Sequence, residues 1–531
     1  MGLYVNPDNQ AFTETVNSDI YVDKSELLLF VDSRFAKEDR NLCVSRPRRF
    51  GKSVTTNMIA AFYSCGCNSR HLFSRFKVAQ TEGWDQHLNS CNVIRVDIQA
   101  FWNRVSDKMH LVDKITSALI YEMRQEFPNV QIDNDLSLSE AMMRVYGQTH
   151  KPFVVLFDEY DVVVRNRTIN DVLQNYITFL ADLFKSLEMR DVIKLSYLTG
   201  ILPIVRDKMQ SKLNNFSEFT MESAKQLAQF VGFTRSEVET LCTEHNMDIE
   251  QCLKWYDGYR LNNNVDVSAP YSVVQAMTSH SFEGHWTRTG SFESLRDYIS
   301  MDMDGIRADV ACLMAGQSIE VNVGTYLNTL TDFNSKDDIF TYLIHLGYLA
   351  YNHDDKLAYI PNHEVMQEWR NSVDNNPKYR VVAQFMDNSW ALLQATLSTN
   401  EEAVARALDQ AHQEATSPLT YNNEACLQSA IGMAYFCASA DYRIIKEFPS
   451  GRGFADMAFI PKHSGLPAII VELKWDKSAA MALKQAATKR YADALRGANT
   501  DVLLVGVNYS QETKQHTCKI LRIPSSDICS C

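Results

Sequence analysis

Long apolar runs are missing from this chain. No stretch of about 18 apolar residues occurs, so no segment reads as a transmembrane helix. Met1–Asn9 is polar and does not read as a secretory leader. A cytoplasmic protein with reduced thiols is the expectation. The 12 cysteines lack C-x-x-C spacing: Cys65-Gly-Cys67 and Cys529-Ser-Cys531 sit too close for the usual zinc pairs, and His71 is a lone neighbour. Internal repeats and low-complexity linkers are also absent, which excludes a repeat architecture. Excess positive charge is absent as well. The net charge of −13 argues against a protein that coats nucleic acid through overall charge.

What is present fits a globular chain. Its 531 residues suffice for about three or four domains of ~150 residues. Hydrophobic residues make up 45% and charged residues 22%, so each domain can bury a core. The charge is uneven. Residues 421–531 carry a net +3, which leaves −16 on the first 420, so the C-terminal part can still face a polyanion.

The stretch Asn41–Ser53, N-L-C-V-S-R-P-R-R-F-G-K-S, reads as a short strand, a basic loop and a helix opening at Gly51-Lys52-Ser53. Such a junction ends a phosphate-binding loop, whose N–H groups and positive helix end hold anionic oxygens. Lys52 would reach the β- and γ-phosphates of ATP, and the Ser53 hydroxyl would bind Mg²⁺. The spacing G-x-x-x-x-G-K-[ST] asks for glycine at 46, where this chain has Arg46. A basic loop before a surface helix is the alternative on this motif alone.

Further signals give the fold class. Residues 91–98 read as a strand. Pro152–Phe157 is an uninterrupted apolar run that ends in Asp158-Glu159-Tyr-Asp161, and Val192–Leu198 ends in Thr199-Gly200. Runs without alternation imply parallel strands buried on both faces. Strands alternating with helices imply an α/β three-layer sheet with its ligand at the carboxyl edge. Asp158 can then hold Mg²⁺ opposite Ser53, and Glu159 can polarise the attacking water. Ser25 is a candidate helix cap, and Thr234-Arg-Ser-Glu237 has capping-box spacing. Residues 205–290 read as mostly helical, with Trp255-Tyr-Asp-Gly-Tyr259 a packing corner. Residues 291–420 read as helical too, with strand character at Tyr342–Tyr351 and Tyr359–His363.

A second constellation lies in the last 110 or so residues. Glu424 starts a helix and shares its apolar face with Leu427 and Ile431. A carboxylate there is costly unless paired or metal-bound. Asp456 precedes a strand, Pro461–Gly465 makes a turn, and Leu466–Val471 leads into Glu472-Leu-Lys474. Period-two alternation puts Glu472 and Lys474 on one face. With Asp456 they can bind a divalent ion such as Mg²⁺ and position a water against a phosphodiester. Gln485 and Tyr491 follow on a helix from about 478 to 495. A hairpin with an ordinary Glu–Lys surface pair is the plainer reading.

These motifs resemble a two-part family, the AAA-ATPase-like proteins (P-loop NTPases) with a C-terminal PD-(D/E)xK nuclease-superfamily domain. The resemblance is carried by Tyr21-Val-Asp-Lys24, Ser45–Ser53, Phe157–Asp161, Leu198–Gly200, Leu213-Asn-Asn215, Gly232-Phe-Thr234, Trp255–Tyr259 and Pro361-Asn-His-Glu-Val365. In the C-terminal part it is carried by Gly451-Arg-Gly453, Asp456, Glu472-Leu-Lys474 and the Gln485…Tyr491 pair. The family also lacks the glycine at position 46. The chain departs from it at Phe454, where Arg is usual, and at Ala269, where Asn tends to precede Pro.

The resemblance implies a P-loop parallel-sheet ATPase core over 1–210, a helical lid-like region over 211–290 and a restriction-endonuclease-like α/β domain over 421–531; between them the residue pattern suggests a mostly helical segment over 291–420, winged-helix-like or mixed. It implies ATP contacts from Arg48, Arg49, Phe50, Gly51, Lys52, Ser53 and Asp158. Glu159, Asp456, Glu472 and Lys474 would be catalytic. Metal ligands would be Ser53, Asp158, Glu424, Asp456 and Glu472, with Gln485 and Tyr491 accessory. Mn²⁺ is an alternative to Mg²⁺ at the nuclease-like site. Arg48, Arg49 and Arg206 compete as arginine finger. The expected partners are ATP and nucleic acid, DNA or RNA, without a membrane; self-association into a homo-oligomer is left open. The leading expectation is an ATPase coupled to a metal-dependent nuclease. The alternative is a nucleotide switch whose C-terminal domain binds nucleic acid or protein without cleaving it.

Overall fold

The uninterrupted apolar runs become buried parallel strands. A computed structural model describes residues 2–133, 135–166, 170–204, 213–261, 265–285, 292–301, 303, 305–326, 333–374, 376, 379–415, 424–439, 441–450, 453–462, 465–489 and 500–526. They divide into two compact units, Met1–Asp304 with Glu320–Glu368, and Gly305–Ile319 with Trp369–Cys531.

In the first unit β1 (Asn41–Ser45), β2 (Asn92–Asp97), β3 (Phe153–Asp158), β4 (Ile193–Gly200) and β5 (Ser217–Phe219) form one parallel sheet in the order β2-β3-β4-β1-β5. Every residue of β1 and β3 is buried, as expected for strands covered on both faces. Helices Leu111–Glu126, Leu138–Thr149 and Asn170–Lys185 share a core with β2 and β3. Helix Lys52–Tyr63 packs on β2, β3 and β4. Because β4 lies between β1 and β3, the loops leaving all three strands meet at one carboxyl edge, where open α/β sheets take their ligands.

Four local expectations resolve differently or in more detail. Thr234 and Glu237 do form a capping box, starting helix Arg235–Glu244. Ser25 is not a cap: its helix runs Leu27–Asp32, and the Ser25 hydroxyl accepts the N–H of Val78 at 3.1 Å. The mostly helical 205–290 stretch also contains an antiparallel sheet of β6 (Phe233–Thr234), β7 (Tyr259–Leu261) and β8 (Val265–Ser268). Its strands are too short to carry a readable period. Tyr342 lies in helix Lys336–Leu346, and extended structure begins only at Ala350–Asn352, paired with Leu357–Tyr359.

In the second unit β9 (Tyr442–Ser450), β10 (Gly453–Pro461), β11 (Ala468–Trp475), β12 (Val502–Ser510) and β13 (Gln515–Ile523) form a sheet in chain order. Only the β11–β12 pair in it is parallel. A parallel pair needs a crossover, and helix Ala479–Thr488 lies in that connection. Alternation along β11 sends Ile469, Val471 and Leu473 into one core with Leu392, Val404 and Leu427, and Ala468 and Ile470 into another with Ala486. Helices Arg380–Leu397 and Glu401–Ala415 therefore belong to this body. Among the described residues no helix is long and apolar enough to cross a membrane.

Candidate active sites

The loop after β1 is shaped by left-handed backbone at Arg49 (φ 72°) and Gly51 (φ 84°). Such turns aim successive N–H groups to one side and make an anion-binding hollow. Gly51 caps helix Lys52–Tyr63, whose positive end faces the hollow. Arg46, where glycine was expected, points away from it. Its guanidinium is fully buried and donates to the carbonyls of Ser45 (2.9 Å) and Phe219 (3.2 Å), pinning the loop to β5. The Lys52 ammonium donates to the carbonyls of Arg46 (3.1 Å) and Pro47 (3.0 Å) and stands 3.6 Å from Glu159 Oε1.

Asp158 and Glu159 leave β3 beside this loop. Asp158 is buried and accepts the Thr199 hydroxyl of β4 and, at 3.0 Å, the N–H of Glu159. Glu159 itself is left-handed, with φ 51°. Burial pushes its carboxyl up, but Lys52, Arg165 and Arg48 pull it below its ordinary range, so it is anionic. Arg48, Arg49, Phe50, Gly51, Lys52, Ser53, Asp158 and Glu159 all line one cavity of about 730 Å³. Its other walls include Tyr21, Val22, Phe233, Pro270 and Tyr271. That volume suits a nucleotide-sized ligand. Ser53 and Asp158 offer a hydroxyl and a carboxylate, oxygen donors that suit Mg²⁺.

The sequence reading missed Asp97 and Gln99, which line the same cavity. Asp97 ends β2 in register with Asp158 and caps helix Ile98–Arg104, accepting the Ala100 N–H at 3.0 Å. Burial, with Asp158 and Glu159 nearby, raises its carboxyl above the usual range. The strand-ending V-D at 96–97 was the available signal.

Two expected phosphate contacts have their side chains engaged elsewhere. The Arg49 guanidinium lies 4.4 Å over the Tyr271 ring, donates to the His285 carbonyl and faces Glu364 and Glu368. Phe50 meets Tyr259 edge-on, with ring centroids 5.2 Å apart. Arg206 lies outside the described residues.

The C-terminal constellation forms on β10 and β11. Their register pairs Met457 with Val471 and Phe459 with Ile469, and one further step along it sets Asp456 opposite Glu472, just past the last ladder pair. The ladder stops there because Asp456 Oδ2 accepts the Leu473 N–H at 2.6 Å. Glu472 is buried, and its Oε1 takes the Lys474 ammonium at 3.0 Å and the Gln485 amide. Gln485 reaches it because Gly506 lets helix Ala479–Thr488 lie close. A Cβ at 506 would come within 2.5 Å of the Ala479 carbonyl. Burial, and then Asp456, raise the Glu472 carboxyl, against Lys474 and Lys489. Lys489 was missed by the sequence reading; its chain also passes Gly453.

Glu472 Oε2 is buried without a hydrogen-bond partner among the described residues. An orphaned carboxylate oxygen beside a second carboxylate is where a cation fits. Among the described residues no three His, Cys, Asp or Glu side chains converge on one metal position. Glu424 opens helix Glu424–Ala434, but its side chain lies outside the described residues, as does Tyr491.

Two family models match the chain. One, described as a predicted AAA-ATPase, covers residues 9–210; the other, the PD-(D/E)XK nuclease superfamily, covers residues 422–518. The chain thus carries an AAA-ATPase-like domain followed by a PD-(D/E)XK nuclease-superfamily domain. An uncharacterised protein from the vnfD 5′ region of Azotobacter chroococcum is 23% identical over 285 residues, 53% of this chain and 52% of that protein. The chain therefore spans about half the length of the curated relative it matches. Among solved structures, the ORC2 protein of Aeropyrum pernix (ADPNP–ADP complexes) is similar at 12% identity over 70% of this chain and 98% of that one, with a TM-score of 0.33. Cdc6p of Pyrobaculum aerophilum is similar at 11% identity over 72% and 99%, with a TM-score of 0.27.

Proposed function

We propose that this chain binds and hydrolyses ATP with Mg²⁺ and couples that cycle to a metal-dependent nuclease-like domain acting on nucleic-acid phosphodiesters. In this reading the ATPase core spans 1–210, a lid-like region 211–290, a mostly helical segment 291–420 and the nuclease-like domain 421–531. The carrying observation is the convergence of Lys52, Ser53, Asp158 and Glu159 on one nucleotide-sized cavity at the sheet's carboxyl edge. Lys52 is the cation for the β- and γ-phosphates, and Ser53 and Asp158 would hold Mg²⁺. That ion would neutralise charge on the phosphates. Glu159 orients the water. At the second site Asp456 and Glu472 would hold Mg²⁺ or Mn²⁺, and Lys474 would steady the attacking water or the charged phosphate.

A specific observation also favours the nucleotide-switch reading. The Asp456 carboxylate is engaged by the Leu473 N–H, and both Lys474 and Gln485 bind Glu472 Oε1. A domain in that arrangement can bind without cutting. The deciding experiment incubates the full chain with DNA and RNA panels in Mg²⁺ or Mn²⁺, with and without ATP. Cleavage lost in Asp456→Asn and Glu472→Gln supports the nuclease reading. Binding without cleavage under every condition supports the switch.

A further inference from the structure

We infer that Arg165 is the positioning residue that holds Glu159 for hydrolysis; the inference rests on the ATPase reading above. Arg165 ends the short helix Val162–Arg165, and only 9% of its side chain is exposed. Its Nη2 pairs with Glu159 Oε2, and its Nε lies 3.0 Å from Asp161 Oδ2. One guanidinium thus donates to Glu159 through Nη2 while its Nε stands at ion-pair distance from Asp161, so a single cation holds both carboxylates from two separate nitrogens, which an ammonium with one nitrogen cannot do.

The anchor beneath it is rigid. Asp161 is fully buried, and its Oδ2 accepts the N–H groups of Ile201 (3.0 Å) and Leu202 (2.8 Å), just past β4. Gly200 has no side chain to disturb this: a Cβ there would lie 2.6 Å from Asp161 Oδ1. The last Asp of F-D-E-Y-D and the Gly of L-T-G therefore belong to one device. It ties Glu159 through Arg165 and Asp161 to the end of β4.

The opposite oxygen, Glu159 Oε1, faces Lys52 at 3.6 Å. The four charges Lys52, Glu159, Arg165 and Asp161 balance. A polyphosphate entering the hollow draws the Lys52 ammonium toward itself. Glu159 then keeps Arg165 on Oε2 and turns Oε1 to water. In hydrolysis the water oxygen bonds to the terminal phosphorus and the bond from that phosphorus to the ADP oxygen breaks. One water proton leaves by way of Oε1 to solvent, giving ADP, phosphate and a proton. Without Arg165 the Glu159 carboxylate loses the partner that holds Oε2, and the orientation that turns Oε1 to water is lost.

The test uses the full chain and compares wild type, Arg165→Ala, Arg165→Lys, Glu159→Gln and the Arg165→Ala/Glu159→Gln double variant. Steady-state ATP turnover is measured together with affinity for a non-hydrolysable ATP analogue. Arg165→Ala should lower kcat about tenfold or more, worth about 1.4 kcal/mol. Analogue affinity should stay within about twofold. Arg165→Lys should recover only part of the rate. In the Glu159→Gln background, Arg165→Ala should cost nothing further, because the two residues act as one unit. A fall in kcat that persists in that background, or that tracks a loss of analogue affinity, overturns the inference. So does an unchanged kcat in Arg165→Ala. A wild-type chain without ATP turnover overturns the ATPase reading, and this inference with it. If Arg165→Ala does not fold, Arg165→Lys carries the test: a wild-type kcat in that variant refutes the bridging role.

Discussion

Replacing Glu368 by Gln should remove a pH-dependent strain behind the phosphate loop. Glu364 and Glu368 sit one turn apart on helix His363–Asp374, both nearly inaccessible. Glu364 accepts the His285 N–H at 2.7 Å and the Ser272 hydroxyl at 3.1 Å. Glu368 Oε2 has no hydrogen-bond partner among the described residues. Burial first, then Glu364, raise the Glu368 carboxyl from 4.5 to about 7, against the pull of Arg49. The sign follows from linkage. An acid raised in the folded state binds more protons folded than unfolded, so stability falls as pH rises from about 4.5 to about 7. At about 1.36 kcal/mol per unit, the loss is on the order of 3 kcal/mol in full, and about 2.5 kcal/mol between pH 5 and 8. Gln keeps the shape without the charge. Chemical denaturation of the first unit's transition at both pH values measures this. The Glu368→Gln variant should gain about 2–3 kcal/mol over wild type on going from pH 5 to pH 8. A difference between the two proteins that does not change with pH refutes the reasoning.

Lys52→Ala should abolish tight binding of a labelled ATP analogue while leaving the far-UV circular dichroism unchanged; undiminished affinity would sink the phosphate-loop reading. Glu159→Gln should bind ATP but hydrolyse it slowly, whereas Asp158→Asn should weaken the Mg²⁺ dependence, as phosphate release on a Mg²⁺ titration would show. Gly506→Ala should push helix Ala479–Thr488 off the sheet, costing about 1–3 kcal/mol of thermal stability. Metal-dependent cleavage should fall with it, because Gln485 loses Glu472. Cleavage at the wild-type rate would show that the contact is dispensable.

Much of the parallel sheet was legible because it rests on continuous apolar runs. Phe153–Asp158 and Ile193–Gly200 lie within two residues of the stretches read for them. The β10–β11 pairing was legible as well: Met457 pairs with Val471 and Phe459 with Ile469, the antiparallel register read from the sequence. What stayed hidden depends on contacts between distant segments. Nothing local told that Arg46 would turn down to β5 and leave the hollow clear, or that Arg165 would bridge Glu159 and Asp161. The six-residue step from Glu159 to Arg165 has no fixed meaning until the backbone turns left-handed at Glu159. The side chain of Asp456 escaped for a similar reason: period-two alternation says where a side chain starts, not that it will replace a ladder bond.

The same logic explains motifs that looked unrelated to phosphate chemistry. Gly258 has φ 110°, and a Cβ there would lie 2.0 Å from the Pro361 carbonyl, so W-Y-D-G-Y and P-N-H-E-V can meet only through a glycine. That contact sets Tyr259 against Phe50 of the loop. Gly232 of G-F-T leaves room on the same ring, since its Cβ would stand 3.4 Å from Phe50 Cδ1. Beside it Arg49 is clamped by Tyr271, by the His285 carbonyl and by the charges of Glu364 and Glu368. A phosphate loop normally relies on small residues for its curvature. Here two large side chains, Arg49 and Phe50, are anchored behind it by segments 200 or more residues away in sequence. Those segments are thus part of the loop's own support.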